Sequence, residues 1–164
     1  MIEQSIDTST GVKFMQRRIL LTALLSLSVP LALSLAPRAF TQEAKTGTLY
    51  KNPECSCCEE YAKYLRRNGY TIKVVSTHDL SAVKRQHSVP EQLEGCHTLV
   101  IGQYVVEGHV PHKHIDRLLA EKPAILGISL PGMPQGSPGM VGRKQEPFVI
   151  YEIGNDPKKV HVTD

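Results

Sequence analysis

Three of the four cysteines in this chain lie within four consecutive positions, as Cys55, Cys57 and Cys58. The residues before them are typical of the end of a strand, and those after them carry apolar side chains at helical spacing. The cysteines are therefore expected to open a helix. Unpaired backbone N–H groups and partial positive charge at a helix N-terminus stabilise thiolates. Such thiols can bind a metal ion or exchange disulfides.

The fourth cysteine, Cys96, is the only one outside this cluster. Four cysteines in an exported protein commonly form two structural disulfides. Here two structural disulfides would require that one of them join two cysteines of the cluster, because only Cys96 lies elsewhere. The spacing favours reactive or metal-binding thiols and leaves two structural disulfides as the alternative.

The elements that must position these thiols follow a regular order. Strands are expected at residues 48–51, 71–75, 98–101 and 104–107. Helices are expected at residues 57–68, from a cap at Asp79 or Ser81 to residue 87, and at residues 112–121. The order β-α-β-α-β-β-α predicts an α/β protein with a mixed sheet and helices on both faces. It resembles the thioredoxin-like fold, in which the loop before the third strand, here carrying Cys96 and His97, faces the start of the first helix.

Beyond the third helix, residues 128–140 are too rich in Gly and Pro for a helix or a central strand, so we expect a loop. This loop carries Met133 and Met140, and exposed methionine is unusual unless its sulfur is used. A last strand at residues 160–162 is expected to pair with residues 148–153 as a C-terminal extension of the sheet.

The first 39 residues have the layout of a signal peptide with an N-terminal extension. Arg17 and Arg18 precede an apolar run at residues 19–36, and small residues follow it. The run approaches the roughly 20 residues of a spanning helix, so an uncleaved membrane anchor is the alternative. Residues 40–47 are interpreted as a linker and residues 48–164 as one domain, which cleavage would leave outside the cytoplasm.

The charge of this domain excludes one class of partner. The whole chain has a formal net charge of +3, but the part after Ala39 holds fifteen basic and fourteen acidic residues. It has no basic patch with interleaved aromatic residues, so nucleic acid is not an expected partner. No acid-base pair or phosphate-binding loop is recognisable, so hydrolytic chemistry has no support.

Four motifs together resemble the bacterial DUF411 family, which includes periplasmic copper-resistance proteins. They lie at residues 50–58, 95–98, 107–111 and 131–140. The resemblance implies a periplasmic, thioredoxin-like domain that binds copper through cysteines. Binding of several copper ions in one cluster and interconversion of Cu(I) and Cu(II) are further properties that the resemblance leaves open. The implied ligands are Cys55, Cys57 or Cys58, and Cys96. The implied partners are copper ions and copper export or resistance proteins, with the membrane reached only through an uncleaved signal segment.

The residue types suit copper, because Cu(I) prefers thiolate and thioether donors and accepts imidazole as an intermediate ligand. Cys55 and Cys58 are three residues apart and are expected on one side of the helix. Cys57 should point elsewhere unless the first turn is irregular, and would then bridge a second metal ion or lie in the core. The auxiliary candidates are His97, His109, Met133 and Met140. The alternative to metal binding by His97 is a hydrogen bond with the backbone, and by His109 it is the orientation of another ligand. The alternative for Met133 and Met140 is packing of the loop against the domain. The remaining histidines are expected on the surface: His78, His87, His112, His114 and His161.

Copper binding by a protein that is not a conventional enzyme is the leading interpretation, and a copper oxidoreductase is left open. Two other functions compete with it. The first is a thiol-disulfide oxidoreductase that uses Cys55 and Cys58; the argument against it is that Cys57 and Cys96 would form mixed disulfides or wrong pairs. Many thioredoxin-like oxidoreductases also carry a cis-proline where this chain has Cys96 and His97. The second is a structural zinc site. The argument against it is that the cysteines do not form the two separated C-x-x-C knuckles that such sites use.

Overall fold

The computed structural model describes residues 45–154, 156 and 159–164. The predicted signal peptide and residues 40–44 of the predicted linker lie outside the described residues, so both stay predictions. Within the described part, no helix combines the length and the apolar character that crossing a membrane requires.

Seven strands and three α-helices form the described part. The strands are β1 (Thr46–Lys51), β2 (Thr71–Ser76), β3 (His97–Ile101), β4 (Tyr104–Gly108), β5 (Gly127–Leu130), β6 (Val149–Ile153) and β7 (Val160–Thr163). The helices are α1 (Ser56–Arg67), α2 (Leu80–Gln86) and α3 (His112–Glu121), with a 3-10 turn at Glu91–Leu93 before β3. The predicted order β-α-β-α-β-β-α is therefore confirmed, and so is the C-terminal strand extension.

One mixed sheet contains all seven strands, in the order β2-β1-β3-β4-β5-β6-β7. The pairs β1–β2 and β4–β5 are parallel, and the other neighbours are antiparallel. The predicted mixed α/β sheet is confirmed, whereas its thioredoxin-like classification stays a prediction.

The expectation that residues 128–140 form a loop is wrong at its start. Gly127–Leu130 is the buried strand β5, which pairs with β4 on one side and β6 on the other. The Gly and Pro residues that indicated a loop begin only at Pro131. Gly127 is needed within the strand, because a side chain there would collide with the backbone carbonyl of Val105.

Apolar side chains cover both faces of the sheet, as the prediction of helices on both faces requires. The larger cluster includes Leu65 of α1, Ile115 of α3 and Val106 of β4. The smaller cluster lies on the opposite face and includes Val105 of β4 and Leu93 of the 3-10 turn. Neighbouring residues of β4 thus point into different clusters, so this strand is buried on both sides.

Strand register brings the ends of several elements together. In the parallel pair, Lys51 at the end of β1 lies opposite Ser76 at the end of β2, so the turns into α1 and α2 are neighbours. In the antiparallel pair, Lys51 also lies opposite His97 at the start of β3. The cysteine cluster after β1 and Cys96 before β3 therefore meet at the same edge of the sheet.

Two glycines allow the loop before β3 to contact the end of β4. A Cβ atom on Gly95 would lie 2.5 Å from the Gly108 backbone nitrogen. Gly108 itself has a φ of +71°, and a Cβ there would collide with the carbonyl oxygen of Leu130. The backbone of the loop before β3, which leads into Cys96, is thus in direct contact with the backbone at the end of β4.

We expect Gly95→Ala to lower the free energy of unfolding by about 2–3 kcal/mol, because one of the two backbones must move. Gly154→Ala is the matched control, since a Cβ there meets nothing within 4 Å. Urea denaturation followed by circular dichroism measures both variants. Equal stability of the two would contradict the close approach of the loops.

Candidate metal centre

The cysteine cluster sits on a turn that backbone and side-chain contacts hold in place. Cys55 is the N-cap of α1, and its backbone N–H donates to the Asn52 carbonyl at 3.1 Å. The buried Lys51 ammonium donates to the carbonyls of Asn52 and Pro53, each at 3.0 Å, and pairs with Glu59 at 3.1 Å. The turn that presents the thiols is therefore fixed from the core side of the protein.

Four sulfur atoms converge at this turn. The Sγ atoms of Cys55, Cys57, Cys58 and Cys96 all lie within 4.8 Å of one another. The Sγ atoms of Cys58 and Cys96 are 3.5 Å apart, a disulfide joins Cys55 to Cys58, and Cys57 and Cys96 are free thiols. The structure thus brings together all four cysteines that the sequence singled out, and their role as metal ligands stays a prediction.

Cys57 does not point away from the other sulfurs, as a regular first turn of the helix would require. Its Sγ lies 3.4 Å from that of Cys55, and the fully buried cysteine is Cys58 instead. The prediction assumed regular helical directions from Cys55 onward. Cys55 has an extended backbone, with φ of −75° and ψ of 94°, so its side chain does not follow the helical spacing.

His109 is oriented toward the cluster by a backbone hydrogen bond. Its Nδ1 donates to the Pro138 carbonyl at 2.6 Å, which leaves Nε2 with a lone pair 3.1 Å from Cys96 Sγ. A ring nitrogen held in this way by a carbonyl is a common arrangement for a metal-binding histidine. The imidazole can therefore accept the Cys96 proton in a hydrogen bond or offer Nε2 to a cation.

His97 lies on the other side of Cys96 and is fully buried. Its Nδ1 is 3.4 Å from Cys96 Sγ, and its buried Nε2 has no hydrogen-bond partner within the described residues. The donor atoms of His97 and His109 lie within 4.8 Å of those of Cys58 and Cys96. This second group of four donors shares two sulfurs with the first.

Burial determines the protonation of these groups. It lowers the pKa of His97 well below its usual range and also lowers the pKa of His109, so both imidazoles are neutral near pH 7. Burial, together with the neighbouring Cys57 thiol, raises the pKa of Cys96 to about 12. A cation would meet ready imidazole lone pairs but would have to displace the Cys96 proton.

Tyr61 of α1 packs against both histidine rings, a role that its place in an apolar helical stripe did not reveal. Its ring centroid lies 4.6 Å from that of His97 and 4.9 Å from that of His109. Its hydroxyl donates to the Val110 carbonyl at 2.7 Å. The tyrosine is fully buried, so it holds the two imidazoles at fixed positions beside the sulfurs.

The loop after β5 closes over this pair of rings. A Cβ on Gly139 would lie 2.6 Å from the Tyr61 backbone nitrogen, so the loop contacts α1 directly. Met140 follows this contact and is half-buried, whereas Met133 is exposed in a turn with a φ of +47°. A metal-related role for Met133 and Met140 stays a prediction.

A buried ion pair lies behind Cys96 and was not predicted from the sequence. Glu107 Oε2 lies 2.5 Å from Lys84 Nζ and accepts the Gly95 backbone N–H at 2.8 Å, while Oε1 accepts the Thr98 hydroxyl at 2.5 Å. Both charged side chains are buried. The available signals were an acidic residue in a buried strand and a lysine on the apolar side of a short helix. The network fixes α2, β3, β4 and the residue before Cys96 to one another.

The surface prediction for the other histidines is wrong for His114. It is buried, and its Nε2 lies 3.2 Å from the Asp164 carboxylate, because β7 brings Asp164 against α3. His161 is also largely covered. His112 is half-buried beside the Tyr64 hydroxyl, and His78 is exposed as predicted.

Together, the fold and the donor atoms define a mixed α/β protein with a thiol-rich cluster that fits a soft metal ion. A family model described as "Protein of unknown function, DUF411" matches residues 93–140. No match was found among curated protein sequences.

Two solved structures are similar to this chain. They are titled copper resistance protein CopG, form 2 and form 1, and each is 34% identical with a TM-score of 0.68. They match 74% of this chain and 99% and 98% of their own length. The chain therefore belongs to the family of copper resistance protein CopG, the DUF411 family. The resemblance seen in the sequence motifs is confirmed.

We expect Lys84→Met to destabilise the protein by about 3–5 kcal/mol, because it leaves the Glu107 carboxylate buried without its cation. The double variant Lys84→Met with Glu107→Gln should recover much of this loss. Lys63→Met is the control, since Lys63 pairs with Glu60 at the exposed surface, and its unfolding midpoint should not change. A Lys84→Met midpoint equal to that of the control would contradict the structural role of the pair.

Proposed function

We propose that this protein is an exported copper-binding protein of copper resistance, whose reduced cysteine cluster binds Cu(I). The observation that carries the proposal is the convergence of four sulfur atoms within 4.8 Å at one edge of the sheet. Membership in a family whose solved relatives are titled copper resistance proteins supports copper as the metal. Export to the periplasm is part of the proposal, with a membrane-anchored form as its alternative.

The donor chemistry favours Cu(I) over Zn(II). Soft thiolates are the preferred ligands of Cu(I), and neutral imidazoles complete such sites. The two overlapping donor groups share Cys58 and Cys96. A sulfur shared by two groups can bridge two ions, so the arrangement supports more than one bound copper.

The disulfide between Cys55 and Cys58 links copper binding to redox state. Its reduction consumes two electrons and produces two thiolates, which then become available as ligands. Oxidation of two bound Cu(I) ions to Cu(II) releases two electrons. One disulfide therefore balances the interconversion of two copper ions, which is the redox activity that we propose for this cluster.

The same disulfide is the feature that a thiol-disulfide oxidoreductase would use. The free Cys57 thiol lies 3.4 Å from Cys55, and the free Cys96 thiol lies 3.5 Å from Cys58. Either thiol could attack the disulfide within the protein and compete with an external substrate. The solved relatives, titled as copper resistance proteins, do not favour this alternative.

We expect the reduced protein, under anaerobic conditions, to bind at least one equivalent of Cu(I) far more tightly than Zn(II). Cys96→Ser should weaken Cu(I) binding by at least about tenfold, or about 1.4 kcal/mol, because it removes a donor common to both groups. Competition with a colorimetric Cu(I) chelator measures the affinity, and Ser56→Ala serves as the control.

Equal affinity for Cu(I) and Zn(II) would contradict the proposal. Absence of copper binding together with rapid reduction of insulin disulfides would favour the oxidoreductase instead. Thiol counts on the same sample show whether Cys55 and Cys58 were reduced when the metal was added.

A further inference from the structure

The cysteine cluster is open to solvent on the side of α2. A cavity of about 360 Å³ there is lined by Cys55, Cys96, His78 and Lys84, among others. A second cavity, of about 390 Å³, also has Cys55 and His78 in its wall. His78 is exposed and the two cysteines are half-buried. His78, Cys55 and Cys96 therefore share one cavity that is open to solvent.

The opposite side of the cluster is closed by packed side chains. Cys58, His97 and His109 are fully buried, and Tyr61 lies against both imidazoles. The Pro138 carbonyl covers His109 by accepting its Nδ1–H. Cys55, Cys57 and Cys96 are half-buried, and of these Cys55 and Cys96 line the cavities on the side of α2.

The backbone on both sides of His78 is held by hydrogen bonds. The Thr77 N–H donates to the Lys51 carbonyl at 2.9 Å, which extends the pairing of β1 and β2 by one residue. The Asp79 N–H donates to the Thr77 hydroxyl at 3.1 Å, and the Asp79 carboxylate accepts the Ala82 N–H at 2.9 Å as the cap of α2. The imidazole of His78 is exposed and has no hydrogen bond or ion pair with any described residue, so its ring nitrogens are available to an ion.

The charges around the cavity suit a cation. Glu94 lines the first cavity and Glu54 the second. Lys84 also lines the first cavity, but the buried Glu107 carboxylate neutralises its charge. A cavity whose unpaired charges are carboxylates raises the local concentration of cations.

We propose that His78 is a transfer ligand, which binds copper transiently in the cavity that it shares with Cys55 and Cys96 and passes it to or from these two sulfurs. The proposal rests on the copper-binding function proposed above. Imidazole suits this role because it binds Cu(I) and Cu(II) less selectively than a thiolate does. The step is a ligand exchange: a copper–nitrogen bond breaks, a copper–sulfur bond forms, the thiol releases one proton, and no electron moves.

The test measures the rate of copper transfer separately from the amount of copper bound. The full-length protein, reduced and loaded with Cu(I) under anaerobic conditions, is mixed with an excess of bathocuproine disulfonate in a stopped-flow instrument. Loading is followed in the reverse direction from a weak Cu(I) complex. Equilibrium competition on the same samples gives stoichiometry and affinity.

We expect His78→Ala to slow both loading and release by about tenfold while stoichiometry and affinity stay the same. His78→Met should restore the rates, because a thioether can also bind Cu(I). His87→Ala is the matched control, since His87 lies at the other end of α2 and does not line either cavity; it should transfer copper at the wild-type rate.

Two results would overturn the assignment while the proposed function stands. Wild-type rates in His78→Ala would show that copper takes another route. Loss of bound copper in the same variant would make His78 a permanent ligand of the cluster. A wild-type protein that binds no copper would instead reject the proposed function, and the transfer role with it.

Discussion

The buried carboxylate of Glu107 is the contact on which the geometry of the cluster depends. A charge without water must be paired and hydrogen-bonded on every side. Here the donors are Lys84 from α2, Thr98 from β3 and the backbone of Gly95. Because the carboxylate is on β4 and its donors are on α2 and on residues 95–98 at the start of β3, satisfying it aligns three separate segments. Cys96 is the residue that follows the aligned backbone, so its position relative to the helix that carries the other cysteines is set by this network.

Burial has opposite consequences for the two kinds of donor around Cys96. It keeps His97 and His109 neutral, so their nitrogen lone pairs are ready for a cation. It raises the pKa of the Cys96 thiol to about 12, so the sulfur keeps its proton until a metal ion replaces it. The folded protein therefore places two neutral imidazoles beside a protonated Cys96 thiol, and an ion that binds there offsets the cost of forming the Cys96 thiolate.

Local features followed the sequence closely, and the errors arose where distant segments meet. The hairpin of β3 and β4 and the bounds of α3 agree with the sequence prediction, and the cap of α2 is Asp79, one of the two predicted candidates. Cys57 was misjudged because the extended backbone of Cys55 departs from helical spacing. His114 was placed on the surface because an isolated helix gives no sign that β7 will bring Asp164 against it.

The sequence by itself determined the order of the elements other than β5, the clustering of thiols at the start of α1 and the family to which the chain belongs. These properties depend on residues close together in the chain, whose periodicity and turn chemistry are visible without a structure. Only the tertiary structure decided which imidazoles lie beside Cys96, which charge supports the loop before β3, and which side of the cluster is open. Those depend on the packing of the Gly95 and Gly108 backbones, on desolvation of Glu107 and on strand register. Each arises between segments far apart in the chain, where local pattern carries no information.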